Sequence, residues 1–266
     1  MDLSIIIVSY NTEELLKNCL FSIEANKQGV NLEVFVVDNA SADGSSEMVK
    51  SEFPWVKLLK NQKNLGFSKA NNQAIRESKG EFVLLLNSDT QVKENSLLKL
   101  INFGESNSEA GVVGARLLNS DGTIQPSAYH LPTIRRAIAE FWFGKKGTFE
   151  KFAISGNNPQ RVEAVVGAAM LISKKTLDKI GLLDERFFMY FEDLDYCRRV
   201  SRAGLKIYYL PEAAIVHFHG QSSQKIGSKA NQYLVESSKI YHGVVAYFII
   251  SSIIRISQVW EKNFKS

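Results

Sequence analysis

Residues 82–90 read FVLLLNSDT, in which five apolar residues are followed directly by Asn87, Ser88 and Asp89. A short run that is apolar at every position predicts a strand with both faces buried, as in a parallel sheet covered by helices. Ligands of such sheets bind beyond the carboxyl ends of the strands. The polar residues that end this run are therefore candidates for a binding site.

Strands and helices alternate along the first hundred residues. Further strands are predicted at the mostly apolar runs Ser4–Ser9, Val34–Val37 and Val56–Leu59. Helical patterns separate them, and the pattern from Phe67 to Ser78 is expected to be closed by Gly80. This alternation predicts an α/β domain with a mostly parallel central sheet flanked by helices.

Composition limits the class of protein. The 266 residues are 45% hydrophobic and 23% charged, which is ordinary for a soluble globular protein. A net charge of +4 is too small for a typical nucleic-acid-binding protein, but it suits a protein that handles phosphates or touches an anionic membrane. Cys19 and Cys197 predict no disulfide framework, and Leu3–Val8 predicts a buried strand rather than a signal peptide.

Polar residues follow each predicted strand of the first half. Besides Asn87–Asp89, they include Ser9–Asn11, Asp38 with Asn39, and Lys60–Gly66. Parallel strands bring these segments to one edge of the sheet. Each carboxylate also has a structural explanation, because aspartate stabilises turns and begins helices.

A second polar cluster, Glu192, Asp193 and Asp195, begins a predicted helix directly after the aromatic residues 187–191. Acidic residues in a first turn complement the helix dipole, which is the simpler interpretation. An apolar wall also raises the pKa of a carboxyl group and excludes water, which suits a general base. A third cluster, His217 and His219, follows a strand and is either structural or metal-binding.

Three common motifs are absent from the sequence. There is no G-x-G-x-x-G after the first strand, no G-x-x-x-x-G-K-[ST] and no G-x-S-x-G. Dinucleotide-binding oxidoreductases, P-loop proteins and hydrolases with a nucleophile elbow are therefore disfavoured.

The end of the chain carries the apolar stretch 243–254, which is shorter than the roughly 20 residues of a membrane-spanning helix. Basic residues and a tryptophan flank it, and this combination predicts a helix that lies in a membrane interface. The alternative is a helix packed on the protein or on a second copy in a homodimer. The flanking residues are Lys239, Arg255, Trp260, Lys262 and Lys265.

Seven segments in order resemble the family 2 glycosyltransferases with the GT-A fold, especially the rhamnosyltransferase-like members that build bacterial surface polysaccharides. The resemblance covers about residues 3–222. The segments are SIIIVSYN at 4–11, VVDNASADGS at 36–45, NLGFSKANNQA at 64–74, LLLNSDT at 84–90, VGAAM at 166–170, Phe187–Arg199 and Val216–Gly220.

This resemblance implies a domain organisation. A single nucleotide-diphospho-sugar transferase domain is expected over residues 1–222. Residues 1–103 form its nucleotide-sugar-binding half and residues 104–222 its acceptor-binding half, with a helical, membrane-associating tail over 223–266.

The resemblance also implies roles for single residues. Asp193 matches the catalytic base, and Asp89 with His217 matches the ligands of Mg²⁺ or Mn²⁺. Asn87 replaces the first aspartate of the family's D-x-D motif, which leaves Asp89 as the main carboxylate for the metal. Glu192 and Gly167 are expected to bind the acceptor. The residues expected to bind the nucleotide sugar are Ser9, Tyr10, Asp38, Asn64, Gly66, Asn87 and Ser88.

The reaction implied by the resemblance is the inverting transfer of one sugar from a nucleotide-diphosphate sugar, dTDP-rhamnose or a UDP-sugar, to an acceptor hydroxyl. The acceptor is a glycan or a lipid-linked glycan, and the expected location is the cytoplasm, at the inner face of the plasma membrane. No Q-x-x-R-W segment follows the base, which favours a single transfer over polymer synthesis. Two alternatives remain: a nucleotidyltransferase, and a catalytically degenerate fold that serves as a membrane-bound partner.

Overall fold

The computed structural model describes residues 1–218, 227 and 229–264. His219, Gly220 and Lys265 lie outside the described residues, as does the predicted boundary at residue 222. Strands β1 to β11 span, in chain order, Leu3–Ser9, Leu32–Asp38, Lys57–Lys60, Phe82–Asn87, Thr90–Val92, Ala110–Leu118, Ala128–Tyr129, Gln160–Val162, Ala164–Val165, Ala169–Ser173 and Lys206–His217. The described helices, numbered α1 to α9, span Glu13–Ala25, Ser45–Glu52, Phe67–Glu77, Ser96–Ser106, Ile134–Phe141, Lys174–Ile180, Glu192–Arg202, Lys229–His242 and Val244–Phe264.

One central sheet runs through both halves of the chain. Within the described residues it has nine strands in the order β3-β2-β1-β4-β10-β6-β11-β5, with β8 paired to β11. Strand β10 is antiparallel to both β4 and β6, and β6 is parallel to β11. Six strands, β1 to β4 with β6 and β11, therefore run in one direction, which confirms the mostly parallel sheet.

Both faces of the sheet are buried, as the uninterrupted apolar runs predict. In β1, Leu3, Ile5 and Ile7 belong to a core that includes residues of α1, α2 and α4. Ile6 belongs to the core on the other face, with residues of α3, α7 and α8. The α/β architecture thus follows from strands that bury alternate side chains beneath two layers of helices.

Gly80 does not end helix α3 as predicted. Helix α3 ends at Glu77, and Gly80 is not in the left-handed conformation of a helix-terminating glycine. A Cβ atom on Gly80 would lie 2.5 Å from the backbone nitrogen of Ser4. Glycine is needed here because the backbone passes directly against the first strand.

Strand β11 is longer than the sequence pattern predicted, and this extension delivers His217. The sequence pattern predicts a strand over Lys206–Leu210 that stops before Pro211. Instead the strand continues past an irregularity in its pairing with β6 between Leu210 and Ala214. Proline lacks an N–H group, so it is tolerated where the hydrogen-bond ladder is interrupted.

The C-terminal helix is also longer than its apolar core. Helix α9 runs without a break from Val244 to Phe264 and packs beside α5, where Ser257 Oγ donates a hydrogen bond to the carbonyl of Phe141. Among the described residues, the segment Val244–Asn263 is long and apolar enough to cross a membrane by length and composition alone.

Candidate active site

The ends of three neighbouring strands form one edge of the sheet. Ser9 at the end of β1 pairs in register with Asp38 at the end of β2. On the other side of β1, Val8 pairs with Asn87 at the end of β4. The convergence predicted from the polar segments is therefore confirmed.

A chain of hydroxyl groups connects β1 to β4 beneath this edge. Ser9 Oγ lies 3.0 Å from Thr12 Oγ1, which donates to Ser88 Oγ at 3.0 Å. All three side chains are buried. Ser9 and Ser88 therefore fix the positions of the two strand ends. Tyr10, the residue after Ser9, is partly exposed.

Asp38 is fully buried, and its carboxylate stabilises the turn that follows β2. Its Oδ1 accepts a hydrogen bond from Ser41 N at 3.0 Å, and its Oδ2 accepts one from Ser46 Oγ. These contacts support the turn-stabilising interpretation. A contact from Asp38 to a nucleotide remains a prediction.

Asn39 connects the end of β2 to the loop that precedes α3. Its amide nitrogen donates to Asn64 Oδ1 at 3.0 Å and to the carbonyl of Gly66 at 3.2 Å. Its amide oxygen accepts from Asn61 Nδ2 at 3.0 Å and from Leu65 N at 3.2 Å. Asn39 was not among the predicted site residues, although its position beside Asp38 at the end of a strand could have indicated a role in the site.

Gly66 makes its close approach to the segment that precedes Glu192. It has a φ of 84°, and a Cβ atom there would lie 2.6 Å from the carbonyl oxygen of Phe188. The same carbonyl accepts a hydrogen bond from Phe67 N at 2.6 Å. The glycine thus allows α3 to begin directly against the aromatic segment 187–191.

Asp89 and His217 lie side by side, buried at the end of the sheet. His217 Nε2 is 3.4 Å from Asp89 Oδ1 and 3.4 Å from Asn87 Nδ2. The backbone fixes this arrangement, since β11 pairs His217 with Thr90 and Phe218 N donates to the carbonyl of Asp89. Asn87, in the place of the first D-x-D aspartate, is part of the same group.

Gln125, which was not among the predicted site residues, orients the ring of His217. Its Oε1 lies 2.7 Å from His217 Nδ1, while its Nε2 donates to the carbonyl of His217 at 3.2 Å and to Asn119 Oδ1 at 2.9 Å. Because the amide nitrogen faces two oxygens, Oε1 accepts and Nδ1 donates. In the neutral ring, the lone pair of Nε2 therefore points towards Asp89 and Asn87.

This donor set fits a divalent cation. A nitrogen lone pair and a carboxylate oxygen at 3.4 Å favour a positive charge between them. A histidine that ligates a metal characteristically donates its other ring N–H to a fixed acceptor, as His217 does to Gln125. No group of three or more His, Cys, Asp or Glu residues suited to a metal occurs in the described part of the chain.

The segment 167–168 connects Asp193 with Asn87, which lies against His217. Asp193 Oδ2 accepts from Gly167 N at 3.0 Å, and its Oδ1 accepts from Leu194 N at 2.7 Å. The carbonyl of the next residue, Ala168, accepts from Asn87 N at 3.0 Å. Two adjacent backbone groups therefore connect the carboxylate of Asp193 with the end of β4.

The surroundings of Asp193 favour a protonatable carboxyl group. Burial raises the pKa of Asp193, against which the Gly167 and Leu194 N–H groups and the charge of Lys151 act. Burial and the neighbouring Asp193 charge raise the pKa of Glu192 well above its ordinary value. Burial lowers the pKa of Lys151, partly offset by the charges of Asp193 and Glu150. Lys151, which no pattern in the sequence marked, therefore acts electrostatically on the proposed base.

The aromatic segment 187–191 is fixed by helix α8. Phe188 stacks on Tyr233 with ring centroids 4.1 Å apart, and Ser237 Oγ donates to the carbonyl of Met189 at 2.8 Å. Tyr190 and Phe191 have φ values of 71° and 65°. Such conformations persist only where surrounding contacts impose them, and here they direct the chain into α7.

Asp195, Arg198 and Arg199 of α7 stabilise the structure. Asp195 accepts from Arg198 at 2.8 Å and from Arg199 at 2.8 Å. Arg198 also donates to the carbonyl of Tyr241 and lies 4.0 Å from the centroid of that ring. Arg198 therefore joins α7 to α8.

Comparison with known proteins identifies the family of the chain. The model of the glycosyl transferase family 2 matches residues 4–181. An N-acetylglucosaminyl-diphospho-decaprenol L-rhamnosyltransferase of Mycobacterium tuberculosis is 27% identical, over 83% of the chain and 77% of that protein. The rhamnosyltransferase WbbL of Escherichia coli K12 is 25% identical, over 89% of the chain and 91% of its own length.

The solved structures agree in fold. A mannosyltransferase of Pyrobaculum calidifontis, in complex with GDP-mannose and Mn²⁺, superposes with a TM-score of 0.63 at 16% identity, covering 97% of the chain and 75% of that protein. This similarity supports the GT-A fold, in which a mixed sheet is flanked by helices. The chain therefore belongs to glycosyl transferase family 2, as a rhamnosyltransferase-like glycosyltransferase.

Proposed function

We propose that this glycosyltransferase transfers a single sugar with inversion, in a metal-dependent reaction, using Asp193 as the base. The observation that carries the proposal is the contact of Gly167 N with Asp193 Oδ2, one residue from the contact of Ala168 with Asn87. Through residues 167–168 and Asn87, it connects a carboxylate of raised pKa with the Asp89–His217 pair.

The proposed mechanism assigns separate tasks to these residues. Asp193 takes the proton of the acceptor hydroxyl as this group attacks the anomeric carbon from the side opposite the leaving nucleotide. Asp89 and His217 would hold Mg²⁺ or Mn²⁺, which stabilises the negative charge that develops on the departing diphosphate. The Gly167 and Leu194 N–H groups keep the Asp193 carboxylate oriented throughout.

Two sets of residues are proposed to bind the substrates. Glu192 and Gly167 are proposed to face the acceptor, since both adjoin Asp193. Residues 1–103 and 104–222 remain the proposed donor-binding and acceptor-binding halves, and residues 223–266 the proposed tail. The residues proposed to line the donor pocket are Ser9, Tyr10, Asp38, Asn64, Gly66, Asn87 and Ser88.

The proposed donor is dTDP-rhamnose or a UDP-sugar, and the proposed acceptor is a glycan or lipid-linked glycan of the bacterial cell surface. The rhamnosyltransferase names of the relatives support a rhamnose donor. The proposed location is the inner face of the plasma membrane, where a lipid-linked acceptor would be available.

The proposal is tested by measuring turnover of nucleotide sugars with Mn²⁺, with Mg²⁺ and with a chelator. Asp193→Asn should lower kcat by about 10²–10⁴-fold while donor binding, measured by calorimetry, is retained. Asp178→Asn, on the exposed surface of α6, is the matched control and should leave kcat unchanged. Near wild-type turnover by Asp193→Asn would remove this residue from the role of base.

A further inference from the structure

Helices α5 and α9 present a continuous apolar surface to solvent. Between them lies a groove of about 540 Å³ whose lining is almost wholly apolar. Phe248, Ile256 and Trp142 are 58%, 55% and 47% exposed. We call this surface the α5–α9 face; it consists of Ile138, Trp142, Phe248, Ile249, Ser252, Ile253 and Ile256.

The exposed apolar side of α9 is separate from the side that packs on the protein. Ile250 and Ser257, seven residues apart, are 4% and 3% exposed and mark the packed side. Phe248, Ile249 and Ile256 lie on the outer side of the helix. An apolar outer side is unusual for a helix at the surface of a soluble protein, which normally turns polar residues outwards.

Exposed apolar residues continue the face at both of its ends. Phe143, at the end of α5, is 74% exposed, and Val245, at the start of α9, is 75% exposed. Val259 and Trp260 are also exposed in the last turns of α9. Tryptophan is enriched where a protein meets the boundary between lipid and water.

Cations border the α5–α9 face. Arg255 and Lys262 are seven residues apart and therefore lie on one edge of α9. Lys145 and Lys146, which follow Phe143 after Gly144, are exposed. Lys239 Nζ lies 5.8 Å from the ring centroid of Phe248. The border is thus strongly positive.

A cavity of about 440 Å³ beside the start of α9 adds positive charge next to the face. Arg198 and Arg202 line it together with Ala246 and Ile250. Arg198 Nε and His242 Nε2 are buried nitrogen atoms without a hydrogen-bond partner among the described residues. Of the two, the guanidinium N–H of Arg198 is a donor that suits the phosphate of a lipid headgroup.

We propose that the α5–α9 face docks on an anionic lipid bilayer, with α9 lying in the plane of the interface. An apolar helix side bordered by lysine and arginine is the pattern of interfacial helices. This inference deepens the proposed function by naming the surface that meets the membrane, and its test requires neither donor nor acceptor.

The charges favour a bilayer over a second copy of the chain. In a two-fold dimer through this face, each copy would bring the same patch against itself. Lys145, Lys146, Arg255 and Lys262 would then oppose their own counterparts, whereas anionic headgroups complement them. A spanning orientation is disfavoured because Arg255 lies in the middle of α9 and would enter the hydrocarbon.

The experiment measures cosedimentation of the full chain with vesicles of phosphatidylglycerol and phosphatidylcholine in equal parts, and with vesicles of phosphatidylcholine alone. The wild type should bind the anionic vesicles more tightly, and added salt should weaken binding. The double variant Trp142→Ala with Phe248→Ser should bind about tenfold more weakly or worse. Phe21→Ser, an equally exposed aromatic residue on α1, is the matched control and should bind as the wild type does.

A second variant tests the proposal independently in case the first one fails to fold. Arg255→Gln with Lys262→Gln changes only exposed side chains and should weaken binding about fivefold for each cation removed. Equal binding by the wild type and both double variants would overturn the proposal. So would a dimer of the wild type in sedimentation equilibrium that Trp142→Ala with Phe248→Ser dissociates. Donor binding by calorimetry on the same samples reports separately on the proposed function.

Discussion

The Nδ1 nitrogen of His217 lies 2.7 Å from the Oε1 oxygen of Gln125, although 92 positions separate the two residues in the chain. The contact brings the loop after β6 against the end of β11. It fixes the tautomer in which Nε2 of His217 faces Asp89. The orientation of the proposed metal ligand therefore depends on a neutral side chain from the loop after β6.

Replacing Gln125 by leucine should weaken Mn²⁺ binding by about 10–100-fold, because the ring of His217 loses the acceptor that orients it. Free Mn²⁺ during a titration, followed by electron paramagnetic resonance, measures this affinity without any turnover. Gln160→Leu, which changes an exposed glutamine of β8, is the control and should bind Mn²⁺ as the wild type does. Unchanged affinity in Gln125→Leu would show that the ring is oriented by other contacts.

The second prediction concerns the charge of Lys151, which lowers the pKa of Asp193. Replacing Lys151 by methionine removes this charge, so the pKa of Asp193 rises. A base must be deprotonated to act, and the acidic limb of the kcat/KM profile should therefore move to higher pH. Lys151→Arg keeps the charge and should leave the limb nearer its original position. A shift to lower pH in Lys151→Met would contradict the assignment of Asp193 as the base.

The strand ends could be predicted from sequence because the signals are local. The run 82–86 is apolar at every position, so Asn87 and Asp89 follow the strand by necessity. Likewise, the apolar run before Asp38 located the end of β2. A parallel sheet then brings these ends together without further information.

The remaining contacts depend on residues far apart in sequence. Gln125 and Lys151 lie in a region without helical or strand periodicity, so nothing local links them to His217 or Asp193. The continuation of β11 beyond Pro211 depends on its pairing with β5 and β6, which a single strand's pattern does not contain. Such tertiary contacts override local propensity.

The third prediction is that Glu192→Gln becomes more stable relative to the wild type as the pH rises. Burial and the charge of Asp193 raise the pKa of Glu192 above the value of 4.5 expected in the unfolded chain. Between the two pKa values the folded state holds a proton that the unfolded state has lost. Wild-type stability therefore falls as the pH rises through this window, with a slope of at most about 1.4 kcal/mol per pH unit.

Glutamine carries no titrating proton, so this part of the slope disappears in Glu192→Gln. Urea unfolding at acid and at neutral pH measures the free energy of unfolding of both proteins. The free energy of unfolding of the variant should increase relative to that of the wild type as the pH rises from acid to neutral. Glu94→Gln, on the exposed surface, is the control and should show the wild-type pH dependence. Parallel pH profiles for Glu192→Gln and the wild type would mean that the pKa of Glu192 is unchanged by folding.

The fourth prediction compares two glycines with the same backbone conformation. Gly66 and Gly122 both have a φ of 84°, so alanine is strained at either position. No atom lies within 4 Å of a Cβ on Gly122, whereas a Cβ on Gly66 would lie 2.6 Å from the carbonyl oxygen of Phe188. Gly122→Ala should lower the free energy of unfolding by about 1 kcal/mol, and Gly66→Ala by about 2–5 kcal/mol.

The excess loss in Gly66→Ala measures the contact between the start of α3 and the segment 187–191. Because this segment leads directly into Glu192 and Asp193, moving Phe188 should also displace the proposed base and lower kcat. Gly122→Ala, at an exposed turn, should keep the wild-type kcat. If Gly66→Ala lost stability without losing kcat, the position of Asp193 would not depend on this contact. Its bonds to Gly167 and Leu194 would then be sufficient to hold the carboxylate.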